Sequence, residues 1–165
     1  MRDASIAKER FTRLSTNRLK FSLFLLRYLP AAFFSGVRII GLTDTECQVT
    51  VPYKWFSRNP FGSTYFACLA MAAELSTGTL ALLHGKGAGR PVSMLVLDMK
   101  AEFHKKATAS TRFTCAAGSL LEQAIRTAIE QQQPQTCTVS STGVNSKGEA
   151  VATFHITWTF KMKSV

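Results

Sequence analysis

Residues 62–84 are apolar on every side, and no other feature of the chain restricts its fold as much. Ala and Leu dominate the run. Asn59-Pro60 precedes it, and Gly85, Gly87, Gly89 and Pro91 follow it, which are start and stop signals of a helix. A surface helix shows one apolar stripe, whereas a helix apolar all round must be enclosed by protein over most of its circumference. A flat sheet touching one side cannot enclose it. The run does not read as a membrane span, because Glu74, Ser76 and Gly78 interrupt it and a span asks for ~20 mostly apolar residues. The sequence therefore predicts a buried central helix with something curved around it.

Period-two patterning supplies that curved layer. Residues 37–42 read as a short strand; Cys47, Val49, Val51 and Tyr53 alternate with Gln48, Thr50 and Pro52 as a second, and Thr43-Asp44-Thr45 joins the two in a hairpin. After the central helix, residues 94–103 and 109–115 alternate as two more strands, with Lys105 and Lys106 at the turn between them. Ser119-Leu120-Leu121-Glu122 has the form of a capping box, opening an amphipathic helix that Pro134 closes. Residues 135–141 and a final strand, with Ala150, Ala152, Phe154, Ile156, Trp158 and Phe160 on one face, flank a turn at Asn145-Ser146-Lys147-Gly148. This order predicts an α+β fold, a six-stranded, mostly antiparallel sheet curled around one helix.

Ahead of the strands, residues 4–34 read as a helical arm. Ile6, Leu14, Leu25 and Tyr28 are interleaved with Lys8, Arg10, Arg13, Arg18, Lys20 and Arg27, and Pro30 ends or kinks the helix. The expected division is an arm over residues 1–34 and one domain over 35–165, since 165 residues suit a single core. Residues 1–38 hold eight Lys/Arg against two acids, and the rest of the chain twelve against eight. The cationic excess is concentrated in the arm. Such a balance attracts phosphate-bearing ligands or anionic lipid, and no RNA-recognition, finger or helix-turn-helix signature accompanies it to favour nucleic acid. The arm is read either as a helix packed on the domain with its charges solvated or as a peripheral membrane contact.

Cys47, Cys68, Cys115 and Cys137 are far apart, with no Cys-x-x-Cys pair, and His84, His104 and His155 are scattered. Buried free thiols and no metal site are expected. Neither the arm nor the apolar run has the pattern of a secretory signal, so the expectation is a cytoplasmic protein.

Between Pro60 and His84 the only formally charged residue is Glu74, set among small and apolar neighbours. A buried carboxylate is costly unless paired. Such an acid serves either as a general base, its pKa raised by burial, or as one half of an ion pair at a subunit edge. The second candidate is the stretch from Ser57 to Phe66 that leads into the helix. Free N–H groups of a first helical turn stabilise an oxyanion or bind phosphate, although Asn59 also reads simply as a helix cap or turn former. Phe66 and Glu74 are eight residues apart, or about 12 Å along a helix axis. One carbonyl cannot touch both. If they cooperate, two central helices must lie antiparallel across a twofold axis, each site pairing one chain's helix start with the other's Glu74.

The run Asn59-Pro60-Phe61-Gly62-Ser63-Thr64-Tyr65-Phe66-Ala67, followed fifteen residues after Asn59 by Glu74 and flanked by alternating strands, resembles the hot-dog fold acyl-CoA thioesterases. The phenylacetate-type branch and its uncharacterised relatives are the most similar, over residues 35–163. The resemblance implies a homodimer with a shared sheet, often a dimer of dimers, and hydrolysis of an acyl-CoA-like thioester. In those terms Glu74 activates water or attacks the thioester, Asn59 positions water or substrate, and the Phe66 amide polarises the carbonyl. Gly62, Ser63, Tyr65 and Ala67 would line the substrate. No cofactor is implied beyond the coenzyme A moiety of the substrate itself. Arg58, Lys86, Arg90, Lys105, Lys106 and Arg112 are the candidate cations for its phosphates, or else solvated surface charges. Many active members carry His-Gly-Gly where this sequence has Tyr65-Phe66-Ala67, which leaves a non-catalytic acyl-ligand binding protein as the alternative.

Overall fold

The computed structural model describes residues 2–163. The arm is three helices, α1 (Arg2–Thr16), α2 (Arg18–Tyr28) and α3 (Pro30–Ser35), where the sequence suggests one run ending or kinking at Pro30. Pro30 opens α3, as expected of a residue without an N–H. The first break comes from Asn17, whose side chain accepts from Lys20 N at 3.0 Å and so caps α2. Phe21, Leu25 and Ala32 of these helices are buried in the main core.

The remaining elements are β1 (Arg38–Leu42), β2 (Cys47–Val51), a single 3-10 turn (Trp55–Ser57), α4 (Phe66–Gly87), β3 (Val92–Phe103), β4 (Thr111–Cys115), α5 (Gly118–Glu130), β5 (Gln135–Val144) and β6 (Ala150–Met162). All six strands form one antiparallel sheet in the order β1-β2-β4-β5-β6-β3, curled around α4. The physical reason is the one legible in residues 62–84. From Leu75 to His84 every residue of α4 except Leu82 is buried, and Phe113, Phe154, Ile156 and Phe160 of the sheet are buried with them. α4 is long and apolar enough to cross a membrane, but 67% of its most apolar window is buried inside the molecule.

Local expectations failed where tertiary contact overrode them. Residues Lys105 and Lys106 lie not in a hairpin but in a crossover: β3 forms one edge of the sheet, and β4 lies between β2 and β5. The alternation of β3 changes phase at a bulge between Val96 and Asp98. Before it Met94 and Val96 face Phe160 and Trp158; after it Met99, Ala101 and Phe103 face Ile156, Phe154 and Ala152. Ser119 does not cap α5, which begins at Gly118 with Ala117 in the cap position. Gly118 lies flush against the Asp44 carbonyl, where a Cβ has no room, and its N–H donates to Thr45 O at 3.0 Å.

Candidate active site

α4 starts at Phe66, four residues later than the sequence pattern suggests, because Asn59 folds its own loop instead of capping the helix. Asn59 Oδ1 accepts from Phe61 N at 3.0 Å and from Ser63 N and Ser63 Oγ, each at 3.2 Å. This is an Asx-type turn, closed by Asn59 N donating to Ser63 O at 2.8 Å. Gly62 sits at the tip with φ +73°, where any side chain would strain the backbone although nothing crowds the space. The loop is anchored by Thr64, whose N and Oγ1 both donate to Ala107 O, at 2.8 and 3.1 Å.

Tyr65 occupies the cap position of α4 with an extended backbone, and its side chain caps nothing. Cys68 N and Leu69 N donate back to Tyr65 O, whereas no acceptor among the described residues meets the N–H of Phe66 or Ala67. These two donors stand at the positive end of a 22-residue helix. Beside this helix start is a cleft of ≈ 800 Å³ whose lining includes Arg58, Asn59, Ser63, Tyr65 and Phe66 from the loop and helix start. Phe103, His104, Lys105 and Lys106 from the end of β3 and the crossover form its other wall. Phe103 and His104 were not foreseen: they are remote in sequence, and only the crossover brings them to the loop.

Glu74 is half-buried on α4, in line with the partly covered Ala67, Ala70 and Met71. Burial pushes its carboxyl above the ordinary carboxylate range, and no neighbouring charge or hydrogen bond offsets the push. The carboxylate folds back over the next turn: a Cβ on Gly78 would stand 3.0 Å from Glu74 Oε1 and 3.3 Å from the Trp158 ring. Trp158 is held beneath it by Nε1 donating to Thr77 Oγ1 at 3.1 Å. Glu74 shares a separate cavity of ≈ 220 Å³ with Tyr28, Leu29, Pro30, Ala31, Ala32, Met71 and Leu75.

The predicted site residues thus fall into four places. Arg58, Asn59, Ser63, Tyr65, Phe66, Lys105 and Lys106 meet in the large cleft, with Gly62 and Ala67 adjoining it in the loop tip and first helical turn. Glu74 lies apart from them within one copy. Lys86 and Arg90 line a third cavity of ≈ 400 Å³ against α1, about 30 Å along α4 from Phe66. They do not join the cleft cations. Of those, Lys105 Nζ is held by Glu149 at 2.6 Å and Lys106 Nζ reaches Phe61 O at 3.4 Å. Arg112 lies exposed on β4.

All four cysteines are buried and free. Burial, aided by neighbouring Cys115, pushes the Cys47 thiol up to about 12, which leaves it protonated and unreactive at neutral pH. Among the described residues no group of three or more His, Cys, Asp or Glu is gathered as metal ligands would be.

Solved structures share this architecture. A candidate thioesterase of Shewanella oneidensis superposes with a TM-score of 0.72 at 11% identity, covering 87% of this chain and 96% of that one. A Pseudomonas aeruginosa protein of unknown function, described as a thioesterase candidate, gives 0.64 at 20% identity, covering 94% and 95%. A Haemophilus influenzae thioesterase gives 0.61 at 13%, covering 85% and 88%. At such identities the likeness is one of fold, and that fold is the hot-dog fold. No curated protein matches the sequence. The profile of a domain of unknown function, DUF4442, matches residues 18–160, and the chain belongs to that family.

Proposed function

We propose that the protein hydrolyses an acyl-CoA-like thioester at a site assembled from two copies. The carrying observation is a mismatch along α4. Two unpartnered N–H donors lie at its start beside a cleft, and an unpartnered carboxylate sits eight residues further on, in a cavity between the same helix and the α2–α3 corner. A second copy with its α4 antiparallel along the partly covered row of Ala67, Ala70, Met71 and Glu74 would bring each helix start to the other's Glu74. The edge strand β3, twelve residues long with Leu95 and Leu97 exposed, offers the continuation of the sheet that such a dimer needs.

In that arrangement the Glu74 carboxylate takes a proton from water as its oxygen attacks the thioester carbonyl. The oxyanion forms against the Phe66 N–H, backed by the helix dipole. Collapse of the tetrahedral adduct breaks the C–S bond, and the departing thiolate takes the proton back from Glu74, leaving a carboxylic acid and a free thiol. A raised pKa suits a base that must accept and return that proton near neutral pH. No step needs a cofactor. Arg58 and Lys106 supply positive charge at the cleft for the phosphates of the thiol carrier. Asn59 acts mainly by holding the loop, and Tyr65 offers a hydroxyl at the mouth.

Thiol release across a panel of acyl- and aryl-CoA chain lengths tests the reading. Glu74→Gln is expected to lower turnover by roughly 10²- to 10⁴-fold with the oligomer intact by sedimentation; unchanged hydrolysis removes Glu74 from the chemistry. A second reading, an acyl-ligand binder without turnover, is favoured by one observation: the Phe66 ring, 56% exposed and 4.8 Å from that of Tyr65, stands at the cleft where the oxyanion donors lie. Calorimetric binding of acyl-CoA with no thiol release on long incubation is its signature.

A further inference from the structure

We propose that the outer side of α2, together with Trp55 and Phe56, docks the protein on an anionic lipid surface. α2 is apolar on two opposite sides. Phe21 and Leu25 are 5% and 2% exposed, while Leu19, Leu23 and Leu26, spaced to share one ridge, are 72%, 58% and 43% exposed. A helix that only covered the core would carry a polar outer side. From the corner at Tyr28 and Leu29 the apolar surface continues through Phe34 of α3. The Phe34 ring lies 5.8 Å from Phe56, which lies 6.1 Å from Trp55, itself 75% exposed.

The segments that carry this surface hold charges of one sign. Residues 10–43 contain six Lys/Arg and no Asp or Glu; residues 47–73 add Lys54 and Arg58, again without an acid. Arg18, Lys20, Arg27 and Lys54 are all exposed on or beside the elements that carry the apolar side chains, and the ion pairs of the described residues lie elsewhere. A protein partner would need a concave surface shaped to this ridge and acids set against these cations. A bilayer needs no such shape: Leu and Trp tips enter the acyl boundary while the cations lie in the phosphate layer. Tyr28, Leu29 and Pro30 also line the cavity that reaches Glu74, so an apolar chain leaving the lipid surface meets that cavity at the docking face. The docking itself does not depend on the hydrolytic reading.

The arm cannot be deleted to test this, since Phe21 and Leu25 belong to the core; point variants of exposed positions serve instead. The full chain is sedimented with vesicles of phosphatidylcholine alone and of phosphatidylcholine mixed with phosphatidylglycerol. Binding to the mixed vesicles is expected to exceed the neutral ones by about tenfold or more and to weaken as salt is raised. Leu23→Glu with Trp55→Glu should lower it by at least about tenfold at unchanged circular dichroism. Arg18→Gln with Lys20→Gln, which leaves the apolar ridge intact, should weaken only the anionic preference, by about tenfold. Equal binding to both lipids, or full binding by the Glu variants, overturns the proposal. So does dissociation of an oligomer by those variants with vesicle binding unchanged, which assigns the ridge to a second copy of the chain.

Discussion

From Leu75 to His84, α4 is buried at all but one position, and Ser76, Thr77 and His84 on it are hydrogen-bonded. Ser76 Oγ bonds Ala73 O and Ser141 Oγ, both at 2.7 Å, Thr77 Oγ1 receives Trp158 Nε1, and His84 Nε2 meets Asp44 O at 2.9 Å. From Phe66 to Glu74 the same helix leaves Phe66, Ala67, Ala70, Met71 and Glu74 incompletely covered, with two amides and a carboxylate unpartnered. Buried polar groups are nearly always bonded, and Ser76, Thr77 and His84 follow that rule, while the polar groups of the first half stand exposed or half-buried without a partner. One half of the helix holds the sheet together; the other leaves its first amides and a carboxylate open to a partner or to water.

The contrast makes predictions that separate stability from chemistry. The largest effect belongs to the enclosed half: Leu80→Ala, fully buried, should cost about 2–5 kcal/mol in denaturant unfolding, while turnover per folded molecule stays unchanged. Loss of turnover without loss of stability would blur the division between the halves. At the boundary, Gly78→Ala places a Cβ against Glu74 Oε1 and the Trp158 ring. The carboxylate is the end of a flexible side chain and can move, and the helical gain of up to ~1 kcal/mol offsets the crowding. Stability should hold within ~1 kcal/mol while thiol release drops by about tenfold, because the base is displaced. An unaffected rate would mean that the seat of the carboxylate is immaterial.

The smallest effect concerns pH. Burial holds the folded Glu74 pKa above its unfolded value, so the folded state keeps its proton over a window in which the unfolded chain has lost it. Stability therefore falls as pH rises through that window, and the whole cost of the buried charge is present above it. Glu74→Gln removes this cost. Its melting temperature should exceed that of the wild type at neutral pH, and the advantage should vanish below the ordinary carboxylate range near pH ~4.3. A variant that is less stable at neutral pH would show that the carboxylate has a bonding partner in solution.

Much of this contrast is legible in the sequence. The apolar circumference of residues 62–84 demanded enclosure, period-two runs supplied six strands to enclose it, and a lone Glu74 in that setting stood out by charge. Glu74 and the Asn59–Phe66 loop were both singled out from residue type and spacing, because burial of a charge and the opening of a helix carry the same energetic meaning in any fold. The cleft's far wall, Phe103 and His104, was not, since a crossover between edge and interior strands leaves no local mark.

Patterning along the chain sets which residues avoid water, and that was sufficient for the buried helix, the strands and the acid within them. Register and neighbourhood are set by groups far apart in sequence competing for the same space. The bulge at Val96, the glycine seated under the Asp44 carbonyl, the Asn59 turn that delays α4 to Phe66, and the arm's corner beside Glu74 all arise in this way. Close packing makes such contacts decisive, because a turn or a strand phase that suits its own residues is abandoned when the surrounding core leaves no room for it.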